Sequence, residues 1–161
     1  MAIKVLFVCT ANLCRSPMAE GVFRAFVERA GVADAFEIAS AGTSGSFVGQ
    51  PSTPRAVEVA ASRGYDLSAI RARQLVADDI AYFDYPLAME SSHLVDMRWL
   101  APRAFADKPK MFMSFAPRIG ITEVADPIGK GQAEFEHALD LIEAGCKGLL
   151  DRLSPAIKKA I

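Results

Sequence analysis

The chain has 161 residues, a length that fits one domain and buries roughly 68–70% of the surface its unfolded form exposes. Apolar residues make up 52% and charged residues 23%, with a formal net charge of -1, so nothing in the charge balance points to nucleic acid or an acidic membrane as a partner. Three cysteines and two histidines are too few, and wrongly spaced, for a disulfide scaffold or a zinc site, and reduced, reactive thiols fit better.

The N-terminal "MAIKVLFVCTA" turns polar at Asn12 and Arg15 without a small-residue cleavage site. It is expected to be a first strand, residues 3 to 8, and not a signal peptide. No apolar run reaches the roughly 20 residues that span a bilayer, and a cytoplasmic setting is expected. Ser16-Pro17 supplies an N-cap and a first-turn proline, which predicts a helix whose face carries Met18, Val22, Ala25, Phe26 and Ala30 and which ends near Gly31. "FEIASA", residues 36 to 41, is the second strand. Thr53-Pro54 opens a helix through Ala56, Val57, Val59 and Ala60 that stops at Gly64. A short helix over 76 to 83 leads to "YPLAM", residues 85 to 89, a strand in which Pro86 removes one ladder donor. Then come a helix from Ser92 to Leu100, the run "KMFMSF" at 110 to 115 and a loop holding "EVADPIGKG" at 123 to 131. The last helix, 132 to 153, has the stripe Phe135, Leu139, Ile142, Cys146, Leu149 and Leu153. Strands alternating with helices predict an α/β fold: a parallel sheet covered on both faces, with ligands at the carboxyl ends of its strands.

The chemistry concentrates in "LFVCTANLCRSPMAEG", residues 6 to 21. Cys9 ends the first strand and Ser16 opens the helix, so Thr10, Ala11, Asn12, Leu13, Cys14 and Arg15 form a loop whose amides can turn inward around an anion at a helix N-terminus. Phosphate fits such a loop, and the same environment stabilises a thiolate. Arg15 adds a planar fork suited to two phosphoryl oxygens. On spacing alone two readings stand: a small buried residue at a strand end beside a surface arginine, or a nucleophile beside an oxyanion clamp. The strand before the loop and the Ser-Pro helix start after it favour the second.

"VLFVCTANLCRSPMAE" resembles the signature of the low-molecular-weight protein tyrosine phosphatases, and the likeness runs on through "SAGTSG" (40 to 45), "PRAVEVA" (54 to 60), "RARQL" (71 to 75), "AMESSHL" (88 to 94) and "VADPIGKG" (124 to 131). That resemblance implies one α/β domain over residues 1 to 161 with a four-stranded parallel sheet and a phosphate loop after the first strand. It makes Cys9 the nucleophile that forms a phosphocysteine, Arg15 the phosphate binder and Asp126 the general acid, whose carboxylate then takes a proton from the hydrolytic water. Asn12 and Ser40 take the place of the pair that holds the loop, Ser16 that of the hydroxyl bonded to the thiolate, and Asp96 that of a loop-steadying carboxylate. Cys14 takes the place of the second cysteine, which captures an oxidised nucleophile as a disulfide. The resemblance implies no metal and no cofactor. Cys146 is expected in the core, and His93 and His137 are expected to be structural.

The pattern also departs from the family. Ser46 and Ile128-Gly129 stand where aromatic residues usually line the cleft, which leaves Phe47, Leu13 and Ile128 as candidate walls for a phenol ring. Ile70 replaces a histidine that some members carry in the loop-supporting network, which is therefore expected to be smaller. Leu13 resembles the tyrosine-specific branch; the phosphoarginine branch carries threonine there. The arsenate-reducing branch needs extra thiols, and "IAYFDYPLAME", residues 80 to 90, has none. A phosphate-binding thiol sensor without turnover would need no Asp126. The expected activity is hydrolysis of phosphotyrosine on a protein, or of a small aryl phosphate, with inorganic phosphate as product and inhibitor, by a monomer or weak dimer.

Overall fold

The computed structural model describes residues 1–160. Strand β1 (Ile3–Cys9) is flanked by β2 (Phe36–Gly42) and β3 (Tyr85–Ala88), and β4 (Lys110–Met111) completes a four-stranded sheet in the order β2-β1-β3-β4. All three pairings are parallel. β1 is buried on both faces, so it reads as a continuous apolar run without alternation. Its even and odd residues feed two separate cores. Val5 and Phe7 face helices α1 (Arg15–Arg29), α2 (Pro54–Ser62) and α5 (Gln132–Ala160); Leu6 and Val8 face α3 (Ala77–Tyr82) and α4 (Ser91–Leu100). Helices thus cover both faces, as the alternation predicts. The chain leaves β1 towards β2 on one side and β3 on the other, which opens a crevice at the carboxyl end of β1, where sheets of this topology bind ligands.

Three elements differ from expectation. Helix α1 begins at Arg15, with Cys14 at the cap position and Met18 N–H donating to Cys14 C=O at 3.0 Å. Ser16 is therefore inside the helix and is not its cap; its hydroxyl serves the loop instead. The run at 110 to 115 is strand only over its first two residues, and Phe112–Phe115 form a 3-10 turn. The reason lies in α5, where two glycines let that turn press inward: a Cβ on Gly145 would stand 2.3 Å from the Phe112 ring, and one on Gly148 would stand 1.8 Å from the Phe115 carbonyl oxygen. Finally, α5 continues past residue 153 through Pro155, because Ile157 extends the buried stripe. The carbonyl that Pro155 cannot serve belongs to Asp151, on an exposed stretch, and Ser154 Oγ donates to Leu150 C=O at 2.7 Å.

Cys146 lies wholly buried on α5, and its thiol points at Ala19 C=O of α1 at 3.7 Å. Burial holds that thiol well above the ordinary range, which suits a packing residue. Pro86 pairs with Leu6 of β1, while the ladder to β4 begins only at Leu87. No helix among the described residues is long and apolar enough to cross a membrane.

In an exposed helix Gly→Ala would stabilise by up to about 1 kcal/mol. Gly148→Ala is expected to do the reverse, lowering stability in urea unfolding by roughly 1–3 kcal/mol, because the new methyl must displace backbone. An unchanged midpoint would mean that the turn at 112–115 does not depend on this gap.

Candidate active site

The loop between Cys9 and Arg15 is held open by a specific strain. Among the described residues Asn12 is the one non-glycine with positive φ, at 58°, a conformation that costs most L-residues roughly 1–2 kcal/mol and that asparagine tolerates better. Its side chain anchors it there. Asn12 Nδ2 donates to Ser16 Oγ at 2.8 Å and to Ser40 Oγ at 3.0 Å, and its Oδ1 accepts from Arg73 N–H at 3.0 Å. Ser40 Oγ donates in turn to Glu20 Oε1 at 2.7 Å, and Arg24 Nε donates to Glu20 Oε2 at 3.0 Å. The expected trio of Asn12, Ser16 and Ser40 is therefore together, and the network reaches on to Glu20, Arg24 and the Arg73 backbone. Gly42 at the end of β2 is required by the same close approach, since a Cβ there would lie 2.6 Å from Thr10 C=O.

Cys9 Sγ lies 2.9 Å from Ser16 Oγ. Because Asn12 already donates to that oxygen, the Ser16 proton has two acceptors, sulfur at 2.9 Å and Ala41 C=O at 3.5 Å, and the shorter contact is to sulfur. The thiol is buried at the strand end, at the mouth of α1, where the helix dipole favours an anion.

Arg15 is 2% exposed, and charges at that depth need partners. Its Nη1 donates to Glu90 Oε1 at 2.5 Å and to the Val124 carbonyl at 2.8 Å. Nη2 has only looser neighbours: Thr10 Oγ1 at 3.5 Å and Asp126 Oδ2 at 3.6 Å. One end of the fork is fixed from behind, and the other is available to an incoming oxyanion. Asp126 is 42% exposed, with Oδ1 accepting from Ile128 N–H at 3.0 Å, so Oδ2 is the oxygen turned towards Arg15. Cys9, Ala11, Leu13, Cys14, Arg15, Asp126 and Ile128 line one small cleft. The larger hollow between α5 and the turn at 112–119 contains no cysteine, so volume is a poor guide here.

Several assignments change. Phe47 does not line the cleft; it is exposed on the turn after β2, which leaves Leu13 and Ile128 as the apolar walls. Asp96 is exposed on α4, and the carboxylate that steadies Arg15 is Glu90 at the start of that helix. His93, expected to be merely structural, is 2% exposed and bonds Thr10 Oγ1 at 2.8 Å through Nε2. The sequence signal for Glu90 and His93 was their position just past the carboxyl end of β3. His137 lies on the far side of Asp126, in a shallow hollow with Lys130 and Glu134. Cys14 is buried, its thiol bonds Thr53 Oγ1 at 3.1 Å, and burial pushes it up to about 11. All three cysteines are free, and no three His, Cys, Asp or Glu side chains gather as metal ligands would among the described residues.

The family model described as low molecular weight phosphotyrosine protein phosphatase matches residues 4–159. A Streptomyces coelicolor protein named low molecular weight protein-tyrosine-phosphatase is 42% identical over 93% of this chain and 93% of its own length. The human low molecular weight phosphotyrosine protein phosphatase is 33% identical over 92% of this chain and 94% of its own. The crystal structure of an Entamoeba histolytica protein tyrosine phosphatase superposes with a TM-score of 0.91 at 32% identity, covering 96% of this chain and 99% of that one.

Asn12 can be tested by two substitutions that separate its roles. Asn12→Gly keeps access to φ 58° but deletes the side-chain hydrogen bonds, at about 1 kcal/mol each. Asn12→Ala loses those bonds and adds the left-handed penalty. Chemical denaturation is expected to rank wild type above Gly and Gly above Ala, and an alanine variant as stable as the glycine one would show that the backbone strain is not stored there.

Proposed function

The chain belongs to the low molecular weight phosphotyrosine protein phosphatase family, and from that premise we propose that it hydrolyses phosphotyrosine through the cleft formed by Cys9, Arg15 and Asp126. The observation that carries the assignment of roles is the convergence of these three side chains, a thiol, a half-free guanidinium and an exposed carboxyl oxygen, on one cleft at the carboxyl end of β1.

In the proposed sequence the phosphoryl group enters the loop of residues 10 to 15, where backbone amides and Arg15 Nη2 take its non-bridging oxygens. Cys9 sulfur, receiving the Ser16 hydroxyl proton as a hydrogen bond, attacks phosphorus. The P–O bond to the tyrosine ring breaks, and Asp126 Oδ2 gives the leaving phenolate a proton. Water then attacks the phosphocysteine, Asp126 takes the proton back, and inorganic phosphate leaves with the thiolate restored. Buried Leu13 and half-exposed Ile128 give the phenol ring apolar walls, a thinner enclosure than an aromatic pair would supply.

Substrates are read as phosphotyrosine-bearing proteins or small aryl phosphates, with phosphate as product and inhibitor. The free thiols fit a reducing, cytoplasmic setting.

Cys14 is read as the redox partner of Cys9. Peroxide oxidises Cys9 to a sulfenic acid, Cys14 sulfur displaces that hydroxyl, and water leaves as the disulfide forms. The negative charges of Cys9 and Asp126 add to burial in holding Cys14 protonated.

Wild type is expected to cleave phosphotyrosine peptides in steady state, and Asp126→Asn to lose on the order of 10²–10⁴-fold in rate with tyrosine as leaving group but much less with a strongly acidic phenol. A uniform loss across leaving groups would point to loop damage in place of lost proton donation. Peroxide inactivation is expected to reverse fully with dithiothreitol in wild type and incompletely in Cys14→Ala; equal recovery of both would remove Cys14 from the redox role.

A further inference from the structure

His93 is almost completely buried at the third position of α4, and both of its ring nitrogens are engaged. Nδ1 lies 3.1 Å from the backbone N–H of Glu90, and Nε2 lies 2.8 Å from Thr10 Oγ1. The Glu90 amide can only donate, so Nδ1 must be the acceptor and carry no proton. In the neutral ring the proton then sits on Nε2 and is donated to Thr10. Burial and the nearby Arg15 guanidinium hold the imidazole below its ordinary range, against the opposing carboxylates of Glu90, Asp96 and Asp126. The neutral tautomer is therefore the form that fits this pocket.

The consequence falls on Thr10. Its Oγ1 accepts a hydrogen bond from His93 Nε2–H, and Arg15 Nη2 approaches the same oxygen at 3.5 Å. With both approaches directed at the oxygen's lone pairs, the hydroxyl proton must point away from them. Thr10 is exposed, and its neighbour Nη2 is the end of the Arg15 fork that also lies 3.6 Å from Asp126 Oδ2. A hydroxyl so placed is a donor beside the position where Arg15 would hold an oxyanion.

We propose that Thr10 Oγ1–H is a side-chain hydrogen-bond donor to the bound phosphoryl group and that His93 is the positioning residue that turns it there. The inference rests on the phosphatase reading of the cleft, since it names a further ligand for the same anion. The Glu90 N–H to His93 bond links this device to the residue that fixes the other end of Arg15, so one helix start orients both the guanidinium and the hydroxyl.

Two substitutions at residue 93 separate this role from simple helix capping. Asparagine places a carbonyl oxygen as many bonds from Cβ as Nδ1, so it keeps the acceptor for Glu90 N–H but cannot reach Thr10. Glutamine places an N–H donor as many bonds out as Nε2, so it reaches Thr10 but abandons the cap. Inorganic phosphate affinity, measured by calorimetry on the full chain, is expected to fall about tenfold in Thr10→Val, the order of a lost hydrogen bond to a charged group. His93→Asn should lose about as much while keeping a melting temperature near wild type, and His93→Gln should stay within about threefold of wild-type affinity despite a lower melting temperature. The double variant Thr10→Val with His93→Asn should bind phosphate about as well as either single variant, because both remove the same bond. Wild-type affinity in His93→Asn, or single losses that multiply in the double variant, would overturn the proposal. Calorimetry needs no turnover, so wild type that shows this binding pattern without cleaving phosphotyrosine would sink the activity and leave the Thr10 assignment intact.

Discussion

A guanidinium buried to 2% exposure is the constraint around which the cleft is arranged. Arg15 belongs to the first turn of α1, yet its partners come from the start of α4 and from the loop that carries both Val124 and Asp126. Water cannot solvate the charge, so each of these segments must supply oxygen to it, and their positions become mutually dependent. Glu90 and Val124 satisfy Nη1. An oxyanion would complete the set at Nη2, so binding energy and local stability are linked at this residue.

The phosphate loop is stabilised by a different logic. Its single left-handed residue, Asn12, is tied on one side to Ser16 and Ser40 and on the other to the Arg73 backbone. The chain of donors ends on Glu20, 8% exposed and itself paired with Arg24 at the protein surface. Hydrogen-bond direction therefore runs inward from Asn12 to both serines, and it leaves the Ser16 proton for Cys9. A polar network with every member satisfied rigidifies its surroundings; here it holds the loop of residues 10 to 15 in its left-handed turn at Asn12.

Cys9 ends β1 and Cys14 lies at the other end of the loop, and their surroundings differ. Cys9 meets a hydroxyl donor and a helix mouth. Cys14 lies at the cap position of α1, buried against Thr53 at the cap position of α2, and is pushed up to about 11. Burial comes first among the causes that hold the Cys14 thiol protonated, and neighbouring negative charge adds to it.

The sequence by itself determined what short-range chemistry can encode. The strand, loop and helix from residues 3 to 29 follow from an apolar run, a cluster of loop residues and a 3.6-residue period, and Cys9 and Arg15 share that unit, so their meeting was legible. The stripe through Leu139, Ile142, Cys146 and Leu149 likewise marked the buried face of α5. Asp126 was legible only through the family resemblance, since an Asp-Pro in a loop has many uses. Tertiary structure alone decided the rest. Glu90 and His93 act on residues 75 and 83 positions away, and no periodicity or spacing in a single chain registers a contact that arises only when the ends of β1 and β3 lie side by side. Phe112 leaves the sheet because two glycines on a helix more than thirty residues later make room for it, and Phe47 misses the cleft because the turn after β2 carries it out to solvent. Local pattern reports how a segment can bury its own apolar face; which polar groups then become one another's only available partners depends on how the segments pack.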